Sequence, residues 1–142
     1  MMGEKQIHRD GKTGVGGWLL VLCLVLIGWG PAQLALVIAA ALPALAVRGV
    51  PLALLIVARI AAAGFGLAAG LALLGRRPAA VSLTRWSIVV SAALDTFVYL
   101  TPYFPSNRPP GDEVYAIAVT LGLAAAWLVY LARSRRVRAT YE

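Results

Sequence analysis

Asp95 is the residue whose chemistry stands out, because it is the only charged residue between Trp86 and Phe104. A carboxylate inside an apolar helix can serve as a proton or cation site, or it can form an ion pair within the protein. It belongs to a set of four polar residues at a spacing of four, which drift by about 40° per step on a helix: Ser87, Ser91, Asp95 and Tyr99. This pattern predicts a polar stripe that faces protein rather than lipid.

Arg59 is the second charged residue inside an apolar run. It lies nine residues after Val50, and Asp95 lies nine residues before Phe104. On consecutive antiparallel membrane helices both would therefore lie about 13 Å below the same boundary. An unpaired charge at that depth costs roughly 2.5 to 3.5 kcal/mol, so we predict a direct or water-bridged ion pair between Arg59 and Asp95. The alternatives are an Arg59 that extends to the surface by itself and a protonated Asp95 bonded to a serine or tyrosine.

The helix that carries Arg59 also carries small residues on the same face. Gly66 and Gly70 follow Arg59 at seven and eleven residues, close to two and three turns later. Their Gly-x-x-x-Gly spacing is typical of helices that let a neighbour approach closely. We predict that these two glycines are helix-packing positions.

The elements that position these residues are four apolar segments. With 61% hydrophobic and 13% charged residues, the chain is far more apolar than a soluble domain. Segments of about 20 apolar residues can cross a bilayer as helices, and four such segments follow one another: residues 17–42, 51–74, 83–104 and 114–132. We predict an all-α integral membrane four-helix bundle over residues 17–132, with a polar tail at residues 1–16 and a basic tail at residues 133–142.

The first segment is less regular than the others, because Gly28, Gly30 and Pro31 interrupt it and Gln33 follows. Proline removes a backbone donor and bends or ends a helix. This segment could therefore be one kinked helix, or one helix followed by an interfacial segment.

The basic residues indicate the orientation. The net charge is +7, and most of the basic residues fall before the first segment, between the second and third, or after the fourth: Lys5, Arg9, Lys12, Arg76, Arg77, Arg85, Arg133, Arg135, Arg136 and Arg138. By the positive-inside rule both termini are cytoplasmic. The charge is explained by topology, so nucleic acid is not expected as a partner. The last basic group could also bind anionic lipid headgroups.

Signals for enzymatic chemistry are nearly absent. The single histidine, His8, lies in the polar tail, and the single cysteine, Cys23, has no neighbouring base. No metal-ligand cluster, phosphate-binding loop or nucleophile motif is present. We expect neither catalysis nor a metal or other cofactor.

The two ends of the chain resemble the bacterial membrane family catalogued as domain of unknown function 2569. The resemblance is carried by Gly-Gly-Trp-Leu at residues 16–19, by Trp-Leu-Val-Tyr at 127–130, by Ser-Arg-Arg-Val at 134–137 and by Thr-Tyr at 140–141. It implies a small four-pass protein of the bacterial inner membrane and no particular activity. The positions that it singles out are Gly16, Gly17, Trp18, Trp127, Ser134, Arg136, Val137 and Thr140.

Two functions fit these observations. The first is a non-enzymatic accessory, assembly or structural partner of a larger membrane complex, bound to another membrane protein or to a second copy of itself. The alternative is a small proton- or cation-coupled transporter that uses Asp95, comparable in size and pass number with small multidrug exporters. An adjacent arginine would hold the acid ionised and occupied, which favours the first.

Overall fold

A computed structural model describes residues 16–103 and 109–141, and within these two ranges the protein is helical and has no β-strand. The elements in chain order are α1 (Trp18–Leu24), a π-helical turn (Val25–Trp29), α2 (Gly30–Leu74), α3 (Ala80–Leu100), α4 (Asp112–Arg133) and α5 (Arg135–Tyr141). In the described part of the chain, three helical stretches are long and apolar enough to cross a membrane: Trp18–Leu74, Ala80–Leu100 and Asp112–Arg133.

The longest of these stretches is divided by a backbone break at Gly49. Its φ of 62° and ψ of −141° are not helical, and only glycine adopts this conformation without strain. Ala41 packs against Leu52 and Ile56 close to the break, whereas Leu26 contacts Gly66 farther from it. The break therefore separates two antiparallel arms, which we call the first arm (residues 18–48, including α1 and the π-helical turn) and the second arm (residues 50–74).

The first arm is a continuous, locally widened helix. The π-helical turn ends two residues before Pro31, where the missing N–H and the ring of proline disturb the preceding turn. Of the two alternatives for the first segment, the structure shows a helix that continues through this irregularity. It also continues through Pro43, so the predicted end at residue 42 is too early. The helix of the first arm ends at Gly49 instead, because the backbone conformation changes at that residue.

Smaller differences affect the other predicted segments. α3 begins three residues before its predicted start and ends at Leu100, and α4 begins at Asp112. Asp112 has a side chain suited to an N-cap, but it is the first residue of α4 and not its N-cap. Gly111 occupies that position with a φ of 101°, and no side chain caps the helix.

The arms and helices that follow one another in the sequence pack against each other. The second arm lies against the first arm and α3, and α4 lies against α3 and α5. Among the described residues, α1 and α4 both contribute to a hydrophobic cluster at one end of the bundle, which contains Leu19, Leu22 and Leu131. Farther along, a cleft lies between the first arm and α4, with α3 as its floor.

The break at Gly49 supplies a first test. In Gly49→Ala, a Cβ meets no neighbouring atom, but the positive φ strains any residue other than glycine by about 1–3 kcal/mol. We expect a lower thermal unfolding temperature in detergent. Gly64→Ala is the matched control, since Gly64 is also open to a Cβ but lies inside the second arm. Equal stability of the two variants would contradict a required positive φ at Gly49.

Candidate functional site

The centre of the candidate site is an ion pair between the second arm and α3. The Arg59 guanidinium donates from Nη2 to Oδ1 of Asp95 at 2.8 Å. The arginine side chain is 16% exposed and the aspartate side chain 36% exposed. The two charges thus meet at the level that their positions along the chain predict, and the contact joins two helices directly.

Asp95 stands between two cavities that share one wall. A smaller cavity of about 230 Å³ lies on the side of Arg59, between the first arm, the second arm and α3. A larger one of about 670 Å³ is the cleft between the first arm, α3 and α4. Ser91 and Asp95 line both cavities, and so do residues of the π-helical turn such as Val25 and Trp29. One carboxylate therefore lies beside the arginine and also at the wall of an open cleft.

The polar stripe predicted on α3 forms part of the cleft. Ser87, Ser91, Asp95 and Tyr99 all line it. Ser87 is buried, and its hydroxyl donates to the Thr84 carbonyl at 3.0 Å. The stripe thus faces the inside of the bundle as expected. Most of its length lines a cavity and does not pack against another helix.

The wall opposite the π-helical turn was not anticipated from the sequence. α4 contributes polar and aromatic side chains to the cleft, namely Asp112, Tyr115, Thr120 and Trp127. Their spacings of three, five and seven residues are compatible with one helix face. That periodicity was the signal available in the sequence.

The two predicted packing glycines contact another part of the same chain, the π-helical turn of the first arm. Gly66 lies against Leu26, and a Cβ at Gly70 would come within 2.8 Å of Cγ1 of Ile27. The Gly-x-x-x-Gly face therefore brings the two arms close together. It is occupied by this contact and is not a free docking surface.

The positions singled out by the family resemblance lie at one end of the bundle. Gly16 and Gly17 lie beside the Arg136 guanidinium, where a Cβ on Gly16 would be 2.8 Å from Nη1. Val137 is buried in the cluster that contains Leu19. Gly17 has a φ of 59°, which favours glycine for a second reason. The two ends of the described chain are thus neighbours in space.

The remaining positions of this set are less uniform. The Val137 amide donates to Oγ of Ser134 at 3.5 Å, and the Thr140 hydroxyl donates to the Arg136 carbonyl at 2.8 Å. Both are local contacts, the first at the start of α5 and the second within it. Trp127 forms an edge-on contact with Tyr130, with ring centroids 6.0 Å apart. Trp18 is 69% exposed, as expected of an anchor at a membrane boundary.

Tyr141 fixes α5 beneath the second arm. Its hydroxyl donates to the Leu73 carbonyl at 2.5 Å. Burial, with a smaller contribution from Cys23, raises the pKa of Tyr141 to about 12, although Arg76 opposes the shift. The hydroxyl therefore keeps its proton at physiological pH and holds the end of the chain against the bundle.

Within residues 16–103 and 109–141, no group of His, Cys, Asp or Glu side chains could hold a metal ion. His8 and the first three predicted basic residues lie outside the described residues. Comparison with protein-family models, curated proteins and solved structures gives no match. The resemblance to domain of unknown function 2569 therefore stays a hypothesis.

The ion pair can be measured by a double-mutant cycle. Asp95→Asn and Arg59→Gln should each destabilise the protein, because each leaves the other group without its charged partner. The coupling free energy should be about 1–3 kcal/mol, as is usual for a hydrogen bond between charged groups. Thermal or denaturant unfolding in detergent gives this value.

Arg48 provides the control for this cycle. Its guanidinium donates to the Pro102 carbonyl rather than to a carboxylate. Arg48→Gln combined with Asp95→Asn should therefore be additive. A similar coupling in both cycles, or none in the first, would contradict a specific Arg59–Asp95 interaction.

Proposed function

We propose that this protein is an integral membrane protein with four passes and both termini in the cytoplasm, and that it is a non-enzymatic accessory or assembly partner of another membrane protein. The two arms, α3 and α4 would be the four passes. The family resemblance adds the bacterial inner membrane as the proposed location. Anionic lipid headgroups are proposed as further contacts of the basic end.

The distribution of arginine supports this topology. Arg48 lies beside Pro102, at the end of the bundle where Gly49 reverses the chain. The opposite end carries the arginines of the α2–α3 turn and of α5, among them Arg76, Arg77 and Arg135. This asymmetry follows the positive-inside rule. Residues 18–48 would extend about 46 Å at ~1.5 Å per residue, so the first arm would tilt or project beyond the hydrocarbon layer.

The observation that carries the accessory function is the outer face of α4, which is exposed in the part of the chain that the structure describes. Ala118, Gly122 and Ala126 recur at a spacing of four, and all three are exposed. None of them lines the cleft. A Cβ at Gly122 would meet no atom within 4 Å. Small residues at this spacing let a second membrane helix pack closely, and unlike Gly66 and Gly70 these positions are not packed against another helix of the described part of the chain.

The ion pair supports the same conclusion. Asp95 is engaged by Arg59 at 2.8 Å, so its charge contributes to holding the second arm against α3. A carboxylate in this position has a structural role that needs no transported ion. The polar chemistry of the core is then consistent with a protein that acts through its helix surfaces.

A bulky substitution tests the α4 surface. Gly122→Ile should prevent close helix packing and reduce recovery of a co-purifying membrane partner, or of a second copy, by at least about tenfold, which corresponds to roughly 1.4 kcal/mol. Cross-linking in membranes and purification in mild detergent, each followed by mass spectrometry, would measure recovery.

Gly64→Ile is the matched control. Gly64 is also exposed, helical and open to a Cβ, but it lies on the second arm. Its variant should retain the partner, and both variants should unfold at similar temperatures. Equal recovery from the Gly122 and Gly64 variants would contradict docking through α4.

One observation favours a second candidate, a small proton- or cation-coupled transporter. The Asp95 side chain lines the cleft in addition to binding Arg59, so an ion could reach it. In proteoliposomes, Asp95→Asn should then abolish a pH-dependent flux while thermal stability changes little. A stability loss without any wild-type flux would exclude this candidate and agree with the structural role.

A further inference from the structure

The cleft has an electrostatic character opposite to that of the chain. The sequence has a net charge of +7, yet none of the described residues that line the cleft is basic. Two of the three acidic residues in the described ranges, Asp95 and Asp112, line it. Such a distribution disfavours anionic ligands and favours cationic ones.

The two carboxylates are not equivalent. Asp95 is compensated by Arg59 at 2.8 Å, whereas Asp112 has no ion-pair partner among the described residues. Asp112 lies at the start of α4. Among the described residues, the carboxylate without an ion-pair partner therefore lies at one end of the cleft, and the paired carboxylate lies farther along it.

Aromatic rings accompany the acids. Four of them line the cleft from three elements: Trp29, Tyr99, Tyr115 and Trp127. The faces of Trp and Tyr attract organic cations, with about 0.5–2 kcal/mol per contact. Carboxylates together with aromatic rings select for a cation that also has apolar surface.

The size and lining of the cleft suit a small molecule. Its volume of about 670 Å³ lies within the usual range of roughly 300–1,000 Å³ for ligand pockets. It extends along α4 from Asp112 to Trp127, about 22 Å at ~1.5 Å per residue. Apolar side chains such as Leu26, Val119 and Leu123 line the part in between.

We propose that the cleft binds an amphiphilic organic cation, an ammonium group attached to an aryl or alkyl body. The ammonium lies near Asp112, Tyr115 and Tyr99, and the apolar body extends along α4 toward Trp127. This site is separate from the outer face of α4, and binding at it requires no transport.

Tryptophan fluorescence offers a direct measurement. The chain has four tryptophans, of which Trp29 and Trp127 line the cleft and Trp18 and Trp86 do not. In a Trp18→Phe, Trp86→Phe background, the remaining signal comes from the cleft. The protein is placed in nanodiscs of zwitterionic lipid and titrated with an aryl-alkyl trimethylammonium probe and with its neutral isostere, in which carbon replaces nitrogen.

The expected result is saturable quenching by the cation, with an affinity at least about threefold above that of the isostere. Asp112→Asn should weaken binding of the cation by about 3- to 30-fold and leave the isostere unchanged. Glu113→Gln is the matched control, since it removes the same charge from the same turn but does not line the cleft. This control should bind the cation like the parent protein.

Two results would overturn the inference. Equal affinity for cation and isostere would mean that the cleft recognises apolar surface alone, as a lipid chain would. Equal effects of Asp112→Asn and Glu113→Gln would mean that general surface charge is responsible. Nanodiscs enclose no compartment, so this titration measures binding alone, and the flux assay in proteoliposomes tests the transporter separately. Gly122→Ile leaves the cleft lining intact, so partner loss and ligand loss are distinguishable.

Discussion

The Arg59–Asp95 contact is the constraint on which the arrangement of the central helices depends. Each charge lies within an otherwise apolar helical stretch, and in a lipid environment neither would be stable without a partner. Their 2.8 Å contact fixes the second arm and α3 at one relative height. Removing either member would leave an uncompensated charge, whereas an apolar pair could have held the helices at several registers. The pair therefore specifies alignment as well as contributing attraction.

The irregularity of the first arm is related to the surroundings of the Arg59–Asp95 ion pair. Pro31 cannot continue a normal hydrogen-bond ladder, and the π-helical turn before it widens the helix. Val25, Leu26 and Trp29 of that turn line the cavities on both sides of Asp95. A regular helix would present its side chains in a different rotation. The proline and the acid are thus linked through packing, although they are far apart in the sequence.

The sequence was most informative where an energetic cost, such as that of a charge in a membrane, can be removed by only a few arrangements. A membrane charge needs a partner, so the depths of Arg59 and Asp95 were enough to predict their contact. Close glycine spacing similarly predicted the packing of Gly66 and Gly70, but the partner helix, α1 with its π-helical turn, could not be identified from spacing. The end of the first arm was misplaced because it was set by apolar length, whereas the helix ends where the backbone conformation changes at Gly49.

The cleft could not be predicted from the sequence, because it depends on how far α4 lies from the first arm. This distance depends on the packing of α4 on α3 and α5 and on the hydrophobic cluster that contains Leu131 of α4 and Leu19 of α1. Leu131 and Val137 close the end of the bundle near α5, while Asp112 lies at the other end of the cleft. Because α5 is held by Tyr141 on Leu73, the last residues of the described chain help to set where α4 stands. The geometry of the cleft is therefore a property of the assembled bundle, and a short basic tail that looks like a topology signal is also one of its supports.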